Sequence, residues 1–330
     1  MKRLTYQEAL VEAICEEMDR EERVFLLGQD IGPFGGPMMS TKGLWEKFGS
    51  TGRIIETPIS ETAMLGACVG AAIMGMRPVV EIMFGEFLSL VMQPLACDAS
   101  GMWYYSAGKV RVPIVLRMKY GVGPHRGHEN DYHSWLVHVP GLKVVMPATP
   151  YDAKGLMKSA IRDNNPVAFF EHMYLYHGIR GEIPDDEYTI PLGIADVKRV
   201  GRDVTVVATG VMVHHSLDAA EDLRKEGIEV EVVDLRTLAP MDKEAILASV
   251  RKTGRLIVAH EAWKLGGSGG EVAALVAEEA FEDLKAPIMR VAPPHIPIPF
   301  SPALIKMYLP DKQNIKEAIR NVLANRVDCE

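Results

Sequence analysis

Cysteine is sparse and scattered. Cys15, Cys68, Cys97 and Cys329 are the only four in 330 residues, and none forms a C-x-x-C pair. This excludes a disulfide framework and the usual structural zinc patterns, and a reducing cytoplasm is the expected compartment. No apolar run reaches the roughly 18 residues that span a bilayer. The N-terminus opens directly into an amphipathic pattern, without the features of a secretory signal. Positive charge is also short, since 36 Lys and Arg face 44 Asp and Glu for a net charge of -8. A nucleic-acid binder would usually carry a basic face, so this balance argues against that class. Short repeats and low-complexity tracts are missing.

What is present describes a soluble globular chain, 48% hydrophobic and 24% charged. Its 330 residues exceed one ordinary core, so two domains are expected. The 18 methionines read as adaptable core filler. Thr5-Tyr6-Gln7-Glu8 fits a capping box, followed by helical periodicity to about Met18. Strands are expected at Val24–Leu27, Arg53–Glu56, Pro78–Phe84, Val112–Met118, Leu142–Met146 and Val167–Glu171. Helices are expected at Glu61–Met76, from Phe84 through about Ser106, and at Tyr151–Arg162. This alternation implies a largely parallel sheet covered on both faces. A polar stretch with Pro184 and Pro191 reads as a linker, giving domains at 1–185 and 203–330 with 186–202 between them. The second domain repeats the α/β alternation through a strand at Ala286–Val291. The fold class is α/β, with two doubly wound domains.

Four segments offer chemistry. In Thr57-Pro58-Ile59-Ser60-Glu61 a turn after an apolar strand leads to a carboxylate on the first turn of a helix rich in small residues. Ser60 capping that helix, with Glu61 complementing its dipole, is the ordinary account. Gly28–Gly36 is a glycine-rich loop. The polar loop from Lys119 to Ser134 is read together with His125, His128, His133 and His138, Glu129 and Asp131, a composition open to a metal. It lacks the G-x-G-x-x-G dinucleotide spacing and any zinc spacing. One of its histidines acting in proton transfer is the stronger reading, because ligands of open α/β sheets lie beyond the carboxyl ends of strands. Gly266-Gly267-Ser268-Gly269-Gly270 satisfies G-x-S-x-G, with Asp283 and His295 following, and this keeps a serine hydrolase using Ser268 as an alternative. Ala262–Leu265 intervene between strand and serine, which favours a glycine-rich helix entry instead.

Several segments in order carry a resemblance: Val24-Phe25-Leu26-Leu27-Gly28, Thr57–Glu61, Pro140–Val145, Asp152–Leu156, Ser159–Pro166 and Val232–Asp242. Through them the chain, from Leu4 to about Ala324, resembles the β subunit of the thiamine-diphosphate-dependent component of 2-oxo acid dehydrogenase complexes. That family includes the pyruvate, branched-chain 2-oxo acid and acetoin dehydrogenases. The resemblance implies a pyrimidine-binding domain followed by a transketolase C-terminal-like domain.

The resemblance also implies roles. Glu61 hydrogen-bonds the pyrimidine nitrogen of thiamine diphosphate and favours its imino tautomer. Phe87 stacks on the pyrimidine, and Ile59 and Met83 line the same pocket. His128 lies near the reacting carbonyl and assists decarboxylation and acyl transfer to a lipoyl group. Ile114, Ala160, Ile161, Asp163 and Asn165 match a set that binds structural potassium through main-chain oxygens.

The G-D-G motif with a following Asn, which holds magnesium and diphosphate in thiamine enzymes, is absent. Gly28-Gln29-Asp30 and Gly201-Arg202-Asp203 do not supply it. The implied assembly is an α2β2 heterotetramer whose α subunit holds magnesium and which docks on a lipoyl-bearing acyltransferase core. The chain departs from the family pattern at Gly127, Glu129, Asn130, Gln93 and Pro94, with Gly85-Glu86 preceding Phe87. Extra acids near the entrance would disfavour an anionic oxo acid. A neutral acyloin such as acetoin is therefore an alternative substrate, and a non-catalytic partner retaining only the fold is another reading.

Overall fold

The computed structural model describes residues 1–122 and 128–325. Contacts divide the chain into two compact units, Met1–Leu192 and Gly193–Glu330.

In the first unit the strands are β1 (Lys2–Thr5), β2 (Val24–Gly28), β3 (Ile54–Glu56), β4 (Arg77–Phe84), β5 (Val115–Tyr120), β6 (Lys143–Val145), β7 (Val167–His172) and β8 (Arg180–Ile183). β2 to β7 form a parallel sheet in the order β6-β7-β5-β4-β2-β3. β2, β5 and β7 are buried along their whole length, as expected of parallel strands covered on both faces. β1 and β8 form a separate antiparallel pair. Thr5 caps the helix Tyr6–Arg20 through the expected box, with Glu8 N donating to Thr5 Oγ1 at 3.1 Å and Thr5 N donating to Glu8 Oε2 at 2.7 Å.

The second unit has β9 (Asp196–Arg199), β10 (Val204–Ala208), β11 (Val230–Asp234), β12 (Thr237–Ala239), β13 (Leu256–Ala259) and β14 (Met289–Val291). Its five-stranded sheet runs β14-β13-β10-β11-β9, parallel except at β9.

Three local expectations differ from the structure. The stretch around the expected linker is partly ordered into strands, because β8 pairs with β1 and β9 with β11. The single helix after β4 is broken into a 3-10 turn at Gly85–Phe87, a helix at Leu88–Met92, a π-helical segment at Gln93–Ala99 and a helix at Met102–Tyr105. Pro94 accounts for the change at the π-helical segment, since it lacks an N–H and its ring crowds the preceding turn. Beyond Val291 the sequence reading assigns no element, yet helices occupy Pro302–Tyr308 and Lys312–Leu323. The second of these is capped by Asp311 and buries Ile315, Ala318, Ile319 and Val322 on one face.

Candidate functional site at the carboxyl edge of the first sheet

The site residues follow the carboxyl ends of adjacent strands. Gln29 follows β2, Glu61 opens the helix after β3, Phe84, Glu86 and Phe87 end or follow β4, and His128 and Asn130 follow β5. In open parallel sheets this edge is where ligands bind.

Glu61 begins the helix Glu61–Ile73 and is 8% exposed. Ser60 makes no side-chain capping hydrogen bond, while Glu61 does stand in the first turn as the dipole account expects. The Glu61 carboxylate accepts from Gln29 Nε2 at 3.4 Å, a long bond. Gln29 also reaches Met64 Sδ at 3.6 Å. Sequence reasoning passes over Gln29 as part of an unmatched motif, although its place just past β2 is a usable signal. The helix packs against Leu88–Met92, and Thr62 Oγ1 donates to the Leu90 carbonyl. This ties the acid to the segment bearing Phe87.

Ile59 is 81% exposed on the turn before the helix. Met83 lies where the β4–β5 register shifts, between Ile82 and Phe84. Such a bulge re-aims side chains at a strand end.

A second cluster forms around His128. Its ring lies 5.2 Å from Phe84 in a stacked arrangement and 4.9 Å from Phe87 at 59°. Its Nδ1 is 2.9 Å from Glu86 Oε2, while Asn130 Nδ2 donates to Glu86 Oε1 at 2.7 Å. Sequence reasoning treats Glu86 and Asn130 only as departures; here they are joined. Glu129 is 5% exposed, and both oxygens of Glu86 are hydrogen-bonded. Gly127 and His125 lie outside the described residues, as does Cys329.

His133 is buried and paired with Asp131 at 2.6 Å, whereas His138 is exposed. Among the described residues, no group of three or more His, Cys, Asp or Glu could hold a metal ion.

The expected potassium set lies at the opposite, amino edge of the sheet. Ile114 precedes β5, and Ala160, Ile161, Asp163 and Asn165 lead into β7. The Ile161 carbonyl accepts Arg77 Nε at 2.9 Å, and the Asp163 carbonyl accepts Arg77 Nη2. The Ile114 carbonyl accepts Val167 N at 2.8 Å. Each carbonyl oxygen keeps a second lone pair, but the Arg77 guanidinium already binds two of them, so a cation here would stand beside that positive charge.

Of the hydrolase residues, Asp283 pairs with Arg251 at 3.7 Å and His295 packs edge-on to Trp263 at 6.5 Å. Ser268 opens the helix Gly269–Glu279, its carbonyl accepting Glu271 N and Val272 N.

Residues 2–177 match the family described as "Transketolase, pyrimidine binding domain", and 193–315 match "Transketolase, C-terminal domain". A solved "Split gene transketolase, inactive beta4 tetramer" shares the fold, with a TM-score of 0.81 at 23% identity over 98% of this chain and 99% of that one. The fold class is therefore that of thiamine-diphosphate enzymes. Sequence comparison narrows it further. The chain is 44% identical to "2-oxoisovalerate dehydrogenase subunit beta" of Bacillus subtilis, over 98% of this chain and 99% of the relative. It is also 44% identical to "Pyruvate dehydrogenase E1 component subunit beta" of the same organism, with the same coverage. A third relative, "Acetoin:2,6-dichlorophenolindophenol oxidoreductase subunit beta" of Cupriavidus necator, is again 44% identical, over 98% of each chain. The chain belongs to the β-subunit family of thiamine-diphosphate-dependent 2-oxo acid dehydrogenases. Identity does not rank the three substrates. Among the described residues no helix is long and apolar enough to cross a membrane.

Proposed function

We propose that this chain is the β half of an α2β2 enzyme that decarboxylates a 2-oxo acid and passes the acyl group to a lipoyl group on an acyltransferase core. The observation that carries this reading is Glu61, a carboxylate buried at a helix start on the ligand-binding edge, with one weak hydrogen bond to its own chain. That acid fits the ring nitrogen of a pyrimidine, and the apolar side chains expected around the ring follow neighbouring strands. When bound, thiamine diphosphate supplies a nucleophilic carbon and an electron sink for cleaving the bond beside the substrate carbonyl. Glu61 holds or shares the proton at the pyrimidine nitrogen. Ile59, Met83 and Phe87 orient the ring and exclude water. His128 faces the reacting carbonyl and moves a proton there. The missing G-D-G motif assigns magnesium and diphosphate to the α subunit. Potassium at the amino edge, shared with Arg77, is structural.

The test is turnover with an artificial electron acceptor after co-expression with the candidate α subunit, with thiamine diphosphate and magnesium present. The panel contains pyruvate, branched-chain 2-oxo acids, 2-oxoglutarate and acetoin. Turnover of an oxo acid that requires both chains is the expected result. Turnover of acetoin alone would replace it with oxidative acyloin cleavage, and an assembled, cofactor-loaded complex silent on the whole panel would refute both.

A further inference from the structure

Glu86 stands on the 3-10 turn Gly85–Phe87, directly after β4. Its partners come from the segment after β5, the adjacent strand. One carboxylate oxygen meets His128 Nδ1 at 2.9 Å and the other accepts from Asn130 Nδ2 at 2.7 Å. Two bonds from one rigid turn therefore fix two side chains that lie two residues apart on an irregular stretch.

The imidazole is constrained in two independent ways. Phe84 and Phe87 set the position of the ring, with centroids 5.2 and 4.9 Å away. Glu86 sets its rotation. A carboxylate at Nδ1 selects the tautomer with hydrogen on that nitrogen, so Nε2 is the atom presented to a ligand. The arrangement has no need to exist for folding. The His128 and Glu86 side chains are 48% and 30% exposed, and half-exposed ion pairs contribute little to stability. Both Glu86 oxygens are committed to this pair of side chains, one to His128 and one to Asn130.

We propose that Glu86 is a positioning residue that fixes the tautomer and the aim of His128, with Asn130 as its second anchor. The proposal rests on the reading of His128 as the group facing the reacting carbonyl. It makes Glu86 a determinant of rate and not of cofactor affinity. It also links the departures at Glu86 and Asn130 into one device.

The experiment is a double-mutant cycle on the enzyme assembled with its α subunit. The variants are Glu86→Ala, Glu86→Gln, His128→Ala and the double Glu86→Ala/His128→Ala. For each, kcat, substrate KM, thiamine diphosphate affinity and the unfolding midpoint are measured. Glu86→Ala is expected to lower kcat about tenfold to a hundredfold, the cost of a misaimed catalytic group. KM, cofactor affinity and midpoint should stay close to the parent values. Glu86→Gln should recover much of the rate, since its amide oxygen still accepts from Nδ1. In the His128→Ala background, Glu86→Ala should cost almost nothing further.

An undiminished loss in that background would overturn the proposal, because Glu86 would then act independently of His128. A His128-dependent enzyme indifferent to Glu86→Ala would overturn it too, while leaving the reading of His128 intact. If His128→Ala retained full turnover, the reading of His128 would fail and the proposal with it.

Discussion

Arg117 holds Glu171 with two bonds, Nε to Oε1 at 2.6 Å and Nη2 to Oε2 at 3.0 Å, with both side chains 1% exposed. The same guanidinium reaches Glu81 Oε2 at 3.0 Å, and Lys119 Nζ lies 2.5 Å from Glu81 Oε1. Ser40 Oγ donates to the Glu81 carboxylate at 2.7 Å, and the Tyr176 hydroxyl donates to Glu171. Register places the charged groups together: Glu81 is level with Arg117, and Lys119 with Glu171.

Breaking this cluster should be costly. Glu81→Ala takes the carboxylate from buried Lys119 and one of two carboxylate partners from Arg117, which keeps Glu171, and is expected to destabilise the protein by about 3–5 kcal/mol in urea unfolding. A loss below about 1 kcal/mol would show that the cations find other partners. Burial by itself would raise the Glu81 carboxyl, but Lys119 and Arg117 outweigh it and hold the group below its ordinary 4.5. The unfolded chain thus takes up the proton first. This stabilisation is complete above the unfolded value and drains away as pH falls through the folded one. Unfolding midpoints measured downward from pH 6 should therefore fall less steeply in Glu81→Gln than in the parent.

Glu61→Gln and Glu61→Ala should each lower kcat by about two orders of magnitude or more, the usual yield of a placed proton-transfer group. Assembly with the α subunit, read by sedimentation, should be unchanged. A variant that assembled and turned over normally would end the catalytic reading of Glu61.

The helix Glu61–Ile73 turns Ala63, Gly66, Ala67 and Gly70 outward. A Cβ built at Gly66 or Gly70 meets nothing within 4 Å. Gly66→Leu should leave the fold intact by circular dichroism and favour the helix by roughly 1 kcal/mol. If this face receives another subunit, the same change should abolish assembly in size-exclusion chromatography. Unaltered assembly would show that the face stays in solvent.

Potassium at Ile114, Ala160, Ile161, Asp163 and Asn165 should raise the unfolding midpoint by about 5 °C over tetramethylammonium chloride at equal ionic strength and near-saturating potassium. Equal midpoints in the two salts would argue against a cation there. Arg77→Ala should lower the midpoint in both, since Arg77 binds two of these carbonyls regardless of salt.

Local physics made much of this protein legible from its sequence. Thr5 and Glu8 specify a capping box because its groups lie within one helical turn. The continuous apolar runs Val24–Leu27 and Val167–Phe170 specify buried parallel strands. The ordered run of family segments around Thr57–Glu61 identifies the family, which the comparisons bear out. Tertiary structure decided what depends on residues remote in the chain. Gln29 joins Glu61 because β2 and β3 are neighbours. Glu86 captures His128 and Asn130 because β4 and β5 are neighbours. Glu129 is buried, and Arg117 finds Glu171 54 residues away. Periodicity reports which face of an element is apolar. Strand order and register, set only when the sheet assembles, determine which polar side chains meet.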